Sequence, residues 1–355
     1  MPLVRGEASK RSPDMDRVPS RWQPLSKSVI AAIMASCQAF AERPAFVYRV
    51  SGKELAVTYD KLREDVALLA KAFRGQKIKP GSRVFVLSDN RYDWMVTDLA
   101  LMALGAVSVP RGSDTPSQEL AYILDHAECS FLIAETEALL ARHQEVIGRH
   151  REIRSVFLIE GTDKHKLFSK LYCYNDILSD RSLSPADFEE FDSEIDALSP
   201  GDLVTLIYTS GTTGNPKGVM LTHANILFNI ETLPPILHLS ETDLWVSILP
   251  SWHIFERTAE YVALSGGSCT VYSSLKTFAA DLEHYRPTIV ATVPRLWEAL
   301  YGKVVNAVAL KGRTARTIFN LLVRTSVRFR RAHRLLAGHQ PQFGKVAWPV
   351  RVWGR

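Results

Sequence analysis

Cysteine is scarce: four residues in a chain of 355, at Cys37, Cys129, Cys173 and Cys269. No Cys-x-x-Cys pair and no histidine at zinc-ligand spacing accompanies them. A disulfide scaffold and a structural zinc site are thereby excluded as organising principles, and reduced thiols in a cytosolic compartment are expected. No apolar run approaches the ~20 residues that a membrane-spanning helix needs. The N-terminal residues mix Arg5, Glu7, Lys10, Arg11, Asp14 and Asp16 without an apolar centre, so a secretory signal is excluded and residues 1–27 are expected to be a flexible lead. Internal repeats and low-complexity tracts are missing too. So are acidic residues from Ala299 onward, where twelve Lys and Arg stand with no Asp or Glu. The net charge of +5 therefore divides into a tail of +12 and a preceding body of 31 basic against 38 acidic residues.

What is present is ordinary for a folded globular chain: 46% hydrophobic and 23% charged residues, with length enough for a large core. Residues 28–42 read as an amphipathic helix. Residues 45–50 and 54–59 read as two strands around Ser51-Gly52. Helices are expected over 59–73, over 92–104 and, capped by Ser117, over 117–127. Strands at 83–87, 106–109, 130–134, 155–159 and 203–208 alternate with them, and further strands are expected at 270–272 and 288–292. The alternation predicts an α/β fold, doubly wound, with mostly parallel sheets and flanking helices. Residues 161–200, polar and acidic, read as a surface connection.

The densest chemical signal is Tyr208-Thr209-Ser210-Gly211-Thr212-Thr213-Gly214-Asn215-Pro216-Lys217-Gly218-Val219. Hydroxyl- and glycine-rich stretches are usually plain solvated loops. This one follows an apolar, β-branched strand and ends in a lysine, the context expected of a phosphate-holding loop. Gly211, Gly214 and Gly218 free the backbone to turn its N–H groups into one concavity. Thr209, Ser210, Thr212 and Thr213 add hydroxyl donors, and Lys217 adds a compact positive charge. The common P-loop needs Gly-Lys followed by Ser or Thr; here Pro216 precedes the lysine and Gly218 follows it, so that class is disfavoured.

Continued by Met220-Leu221-Thr222-His223-Ala224-Asn225, the run resembles the phosphate-binding signature of the AMP-forming acyl-activating enzymes, a superfamily of acyl-CoA synthetases, luciferases and adenylation domains. Ile248-Leu249-Pro250-Ser251-Trp252-His253-Ile254-Phe255-Glu256-Arg257 resembles its acyl-pocket segment in the form of the long-chain fatty-acid branch. Ala291-Thr292-Val293-Pro294-Arg295-Leu296-Trp297-Glu298 resembles long-chain acyl-CoA and acyl-ACP synthetases, and 80–84 and 105–112 fit in the same order. The resemblance implies a two-step ligase: ATP and a long-chain fatty acid give acyl-adenylate and pyrophosphate, and a thiol then forms the thioester. It implies ATP, Mg²⁺ and coenzyme A, with acyl-carrier protein as the alternative thiol. Thr209, Ser210, Gly211, Thr212, Thr213, Gly214 and Lys217 would hold phosphates, with Thr212 also a Mg²⁺ ligand. His253 would be catalytic at the acyl carboxylate, and Trp252 would wall the acyl chain. Glu256 and Arg257 are expected to pair locally in a structural role, Tyr208 to pack beneath the loop, and Arg295 to make a substrate, interdomain or anchoring contact.

The superfamily's later Tyr-Gly-x-Thr-Glu and Thr-Gly-Asp segments and its mobile C-terminal domain have no match here. The expectation is the incomplete N-terminal portion of a longer synthetase: an adenylate-forming domain over 28–310 and a basic segment over 311–355, inactive alone. In that segment Ile318, Leu322, Phe329 and Leu336 share one helical face against a field of arginines, which suits peripheral contact with an anionic membrane or docking on the acidic body. Nucleic acid is not expected, because no aromatic platform or base-reading motif accompanies the charge. The reading from a different class is a non-catalytic fragment that binds acyl chains or membranes.

Overall fold

A computed structural model describes residues 24–162, 168–179, 182–209 and 215–336. The expected lead, up to residue 23, the loop residues Ser210, Gly211, Thr212, Thr213 and Gly214, and the tail from 337 lie outside the described residues. Two compact units are present, dividing between Ala291 and Thr292.

The first unit begins with helix α1 (Val29–Ala39), whose Ser28 cap accepts from the Ala31 N–H. The hairpin β1 (Pro44–Val50) and β2 (Lys53–Thr58) follows, and its turn places Ser51 at φ 50° and Gly52 at φ 79°, the left-handed pair that a tight two-residue hairpin requires. The chain then runs through α2 (Tyr59–Gly75), β3 (Arg83–Leu87), α3 (Tyr92–Ala103), β4 (Val107–Arg111), α4 (Ser117–His126), β5 (Phe131–Thr136), α5 (Glu137–Arg142), α6 (Gln144–Arg149) and β6 (Ser155–Glu160). Next come β7 (Leu171–Cys173), α7 (Tyr174–Ser179), α8 (Pro185–Asp196), β8 (Leu203–Thr209), β9 (Lys217–Thr222) and α9 (His223–Leu237). The unit closes with β10 (Leu244–Ser247), α10 (Ile254–Ser265), β11 (Cys269–Tyr272), α11 (Phe278–Tyr285) and β12 (Ile289–Val290).

Two sheets result. Seven strands run in the order β7-β6-β5-β3-β4-β8-β9 and five in the order β12-β10-β11-β1-β2. Both are parallel except at one edge, where β9 and β2 lie antiparallel to β8 and β1. The α/β class and the largely parallel, doubly wound sheets agree with the sequence pattern. Side chains of β3 and β5 alternate between two cores, as the period of a strand demands. Val84, Val86, Phe131 and Ile133 join a cluster with α1–α3 and residues of the five-stranded sheet. Phe85, Leu87, Leu132 and Ala134 join the opposite cluster with α4–α6.

Four expectations need correction. Ser117 is the first helical residue of α4 rather than its cap, which is Pro116; the Ser117 hydroxyl instead bonds His143 Nδ1 at 2.9 Å. Residues 161–200 are not a bare connection. They hold β7, α7 and α8, with Tyr174 and Phe191 fully buried. Their acidity faces α2: Asp192 pairs with Arg63 at 2.9 Å and Glu194 with Arg74 at 2.8 Å. The strand expected at 288–292 shrinks to Ile289–Val290.

Glu256 and Arg257 do not pair with each other. Arg257 is fully buried and reaches Asp98 of α3, its Nε donating at 2.9 Å. It also donates to the hydroxyls of Thr205 on β8 and Ser108 on β4, both at 2.9 Å. Burial opposes the guanidinium charge, but Asp98 and Tyr261 outweigh it and hold the pKa above its ordinary value. One side chain thus ties α10, which follows β10 of the five-stranded sheet, to the core of the seven-stranded one.

The second unit comprises α12 (Pro294–Leu310), started by Val293 and Pro294, and α13 (Arg313–Leu336). The predicted basic helix is present over 24 residues, with Ile318, Leu322 and Phe329 exposed and Ala332 buried.

Replacing Asp98 by Ala is expected to leave the Arg257 charge buried without a counterion and to cost ~3–5 kcal/mol of stability, read by urea unfolding. A loss under about 1 kcal/mol would be that of a solvent-screened pair and would contradict the lock.

Candidate functional site

Open parallel sheets place ligands outside the carboxyl ends of their strands, where neighbouring connections leave for opposite faces. Here β3 sends its chain to α3 in one core, while its neighbours β4 and β5 send theirs to α4 and α5 in the other. A cleft of about 330 Å³ opens at this point, lined by Asp89 and Asn90 after β3, Ser113 and Asp114 after β4, and Ile248, Pro250 and Trp252. Asp89 fixes its floor, accepting from the Ser113 N–H at 2.9 Å.

Trp252 lines this cleft, and His253 packs against it with ring centroids 3.9 Å apart. His253 caps the N-terminus of α10, and its own N–H is held by the Pro250 carbonyl at 2.9 Å. The Arg111 guanidinium lies 5.6 Å above the Trp252 ring, a cation–π contact. Burial and then Arg111 push the His253 pKa below its ordinary value, with Asp114 opposing. At neutral pH the ring is therefore a neutral imidazole with a donor and an acceptor.

The stems of the hydroxyl- and glycine-rich loop are anchored. Thr209 ends β8, Lys217 begins β9, and the two are cross-strand partners. Both are exposed, and among the described residues no carboxylate pairs with Lys217. Tyr208 is buried beneath, as expected, and its hydroxyl meets His126 Nδ1 at 2.7 Å. Tyr122, one turn earlier on α4, donates to the Pro216 carbonyl at 3.2 Å. Gly218 packs closely here: a Cβ would sit 3.2 Å from the Tyr208 ring, which would have to give by a few tenths of an ångström. Arg111 donates to the Tyr208 carbonyl at 3.2 Å, so one arginine touches both the loop stem and Trp252.

Below the hairpin lies a second cavity of about 240 Å³, mostly apolar, which Ile207, Thr209, Val219, Leu221, Ile226 and Ile254 help to line. The structure thus brings Thr209 and Lys217 together and sets Thr209 on one cavity with Ile254, the residue after His253. Ser210 to Gly214 fall outside the described residues. His223, quoted within the loop's continuation, has a different part: it is buried, its Nδ1 accepts the Val29 N–H at 3.2 Å, and burial lowers its pKa to about 4. Arg295 is exposed at the start of α12, and among the described residues no carboxylate pairs with it.

Sequence reasoning passed over Asp89, Asn90, Arg111 and Gly112 as site residues. Arg111 and Gly112 belong to the 105–112 segment, and only the packing shows what they do. A Cβ on Gly112 would lie 2.6 Å from Trp252 Nε1. Among the described residues no group of three His, Cys, Asp or Glu is arranged to hold a metal ion. A divalent ion here would depend on hydroxyl, phosphate and water oxygens, the ligand set magnesium favours. An unpaired lysine facing a hydroxyl at the mouth of a hairpin fits a phosphate ligand.

The family model described as "AMP-binding enzyme" matches residues 33–339. The chain is 28% identical to the chloroplastic long-chain-fatty-acid–[acyl-carrier-protein] ligase AEE15 of Arabidopsis thaliana, over 99% of this chain and 49% of that protein. It is 31% identical to the long-chain-fatty-acid–CoA ligase FadD15 of Mycobacterium tuberculosis, over 70% of this chain and 40% of that protein. The chain thus spans about half the length, or less, of these relatives. Among solved structures, the long-chain-fatty-acid-CoA ligase FadD1 of Archaeoglobus fulgidus superposes with a TM-score of 0.68 at 24% identity, covering 81% of this chain and 55% of that one.

Gly112→Ala is expected to push the Trp252 indole aside, at a cost of about 1–3 kcal/mol, and to shift the tryptophan emission. An unchanged melting temperature and spectrum would show that the indole has room the geometry denies it.

Proposed function

The chain belongs to the AMP-binding enzyme family, and from that premise we propose that it serves the ATP-dependent activation of long-chain fatty acids. The reaction is acyl-adenylate and pyrophosphate formation, followed by thioester formation with coenzyme A or, alternatively, an acyl-carrier protein. The observation that carries this reading is Lys217, paired with no carboxylate among the described residues and set against Thr209 at the stems of the hydroxyl- and glycine-rich loop. The two ligase relatives, one named for each acceptor, support the substrate class and leave both thiols in the proposal.

In the proposed first step a fatty carboxylate meets the α-phosphorus of ATP, so two anions must be held together in line. Thr209, Ser210, Gly211, Thr212, Thr213, Gly214 and Lys217 hold the β- and γ-phosphates that leave. Thr212 would be the protein ligand of a magnesium ion, which would supply charge neutralisation there. His253 donates a hydrogen bond at the acyl carboxylate, a role open to it as a neutral imidazole. Trp252 screens that corner from water, and the apolar cavity beside Ile254 suits the start of the acyl chain. Residues 28–310 make up the adenylate-forming domain in this proposal. The residues named here are those of the phosphate and acyl side of such a site.

We further propose that the basic helix touches anionic membranes, where long-chain acids dissolve. It carries Arg313, Arg316, Arg324, Arg328, Arg330, Arg331 and Arg334 and no acidic residue, with Ile318 and Leu322 54% and 63% exposed. Among the described residues no helix is long and apolar enough to cross a membrane, so the contact is peripheral. A helix of this kind gains about 1 kcal/mol per basic residue near an anionic surface.

Lys217→Ala is expected to weaken Mg-ATP binding by ~1.5–3 kcal/mol, or about 10- to 100-fold, measured by equilibrium titration. Palmitate-dependent exchange of labelled pyrophosphate into ATP is expected once the chain is joined to a segment bearing the adenine-side motifs. No exchange in either form, with Lys217→Ala binding ATP normally, retires the reading. For the helix, sedimentation with phosphatidylserine vesicles is expected to fall sharply in a variant with Arg324, Arg328 and Arg331 changed to Glu; equal sedimentation rules out the membrane contact.

A further inference from the structure

On the inner side of α10 two carboxylates lie one turn apart, and among the described residues no cation pairs with either. Glu256 and Glu260 are 1% and 2% exposed. Arg257, next to Glu256, is engaged by Asp98. The groups that face the pair are Ser247 of β10, the Ile248 and Leu249 backbone, Ser251 of the following turn, and Tyr272 of β11. Asn90 completes the cluster from the loop after β3.

The hydrogen atoms in this cluster can be counted. Asn90 Nδ2 donates to the Leu249 carbonyl at 3.1 Å and to Ser247 Oγ at 2.8 Å. A carbonyl can only accept, so this fixes which way the Asn90 amide faces. Its Oδ1 then accepts the single hydroxyl proton of Ser251. Ser247 uses its own proton on Glu260 Oε1 at 2.8 Å. Ser251 Oγ also lies 3.1 Å from Glu260 Oε2, and with its hydrogen directed at Asn90 the serine stands there as the acceptor. A proton on Glu260 completes that contact.

We propose that Glu256 and Glu260 hold one proton between them, carried on Glu260 toward Ser251, and that this proton positions the Pro250–His253 turn. The proton ties α10 to Ser251, the residue immediately before Trp252 and His253. Glu256, accepting from the Ile248 and Leu249 N–H groups, is the partner whose charge keeps it in place. Burial is the main reason the pair titrates above the ordinary carboxyl range, and the Glu256 charge adds to the effect on Glu260; the values of about 7 and about 8 belong to the pair. The folded chain therefore binds more protons than the unfolded chain between the ordinary carboxyl range and these values. The stabilisation is full below that range and is lost as pH rises through about 7 to about 8. Both are positioning residues; they bear on the acyl-activation reading only through the turn that they hold.

The test needs neither ATP nor fatty acid, so its failure would leave that reading standing. The emission of Trp252, isolated by subtracting the W252F spectrum, is followed from about pH 6 to about pH 9. The expected result is a transition with a midpoint between about 7 and about 8 in the native chain. Glu260→Gln, whose amide supplies the missing hydrogen permanently, is expected to lose the transition and to keep the low-pH spectrum throughout. Glu256→Gln, which removes the neighbouring charge, is expected to move the midpoint down. Infrared spectra at neutral pH are expected to show a protonated carboxyl band that Glu260→Gln removes. A flat Trp252 response in the native chain, a transition that survives Glu260→Gln, an unmoved midpoint in Glu256→Gln, or no protonated carboxyl band would each overturn the proposal.

Discussion

A guanidinium buried as completely as that of Arg257 must be matched on every side, and the match here comes from three separate stretches of chain. Asp98 supplies the charge, Thr205 and Ser108 supply hydroxyl oxygens, and the Trp94 ring lies 5.5 Å from the guanidinium. Removing such an ion from water costs several kcal/mol unless its partners are complete, so α3, β4, β8 and α10 are constrained to arrive together. That constraint fixes α10 against the seven-stranded sheet. With it come the residues at the helix's start and the cavity that Ile254 shares with Thr209.

The same helix serves three purposes on three faces. Its N-terminus sets His253 against Trp252, which lines the cleft. One side buries Arg257 in the ionic lock. Another side turns Glu256 and Glu260 toward the Ser247–Ser251 segment, where no cation pairs with them among the described residues and the hydrogen bonds suit a neutral carboxyl. A strong ion pair and a protonated acid pair thus stand on adjacent turns. The difference is one of partners: Asp98 has a guanidinium within reach, and Glu260 has only hydroxyls and another carboxylate.

Much of the fold could be read from local pattern. The strands β3, β5 and β6 are apolar and β-branched, and the helices between them repeat at helical spacing, so the α/β alternation was plain. Short-range signals misled where a distant partner decided the outcome. The acidic stretch at 161–200 resembled a solvated link because its complement, Arg63 and Arg74 on α2, lies more than a hundred residues away. Ser117 looked like a cap, yet its hydroxyl turns to His143. Glu256 and Arg257 looked like a local pair, although adjacent residues on a helix point in different directions. The helix α10 itself went unread behind the motif at its start, and the strand β9 behind the loop that precedes it.

For the site, the sequence by itself determined the residue types: a hydroxyl- and glycine-rich turn ending in Lys217, a Trp-His pair, and blocks at 105–112 and 291–298 in family order. Such turns and motif residues are specified by neighbours along the chain, which is why they are legible there. Only the tertiary structure decided that Arg111 bridges the loop stem and Trp252, that Gly218 yields space to the Tyr208 ring, and that His223 is a buried anchor for α1. It also decided which carboxylates meet a cation and which do not. Those outcomes depend on contacts between residues tens to hundreds of positions apart, and on water being excluded from them, and neither is written in any single stretch of sequence.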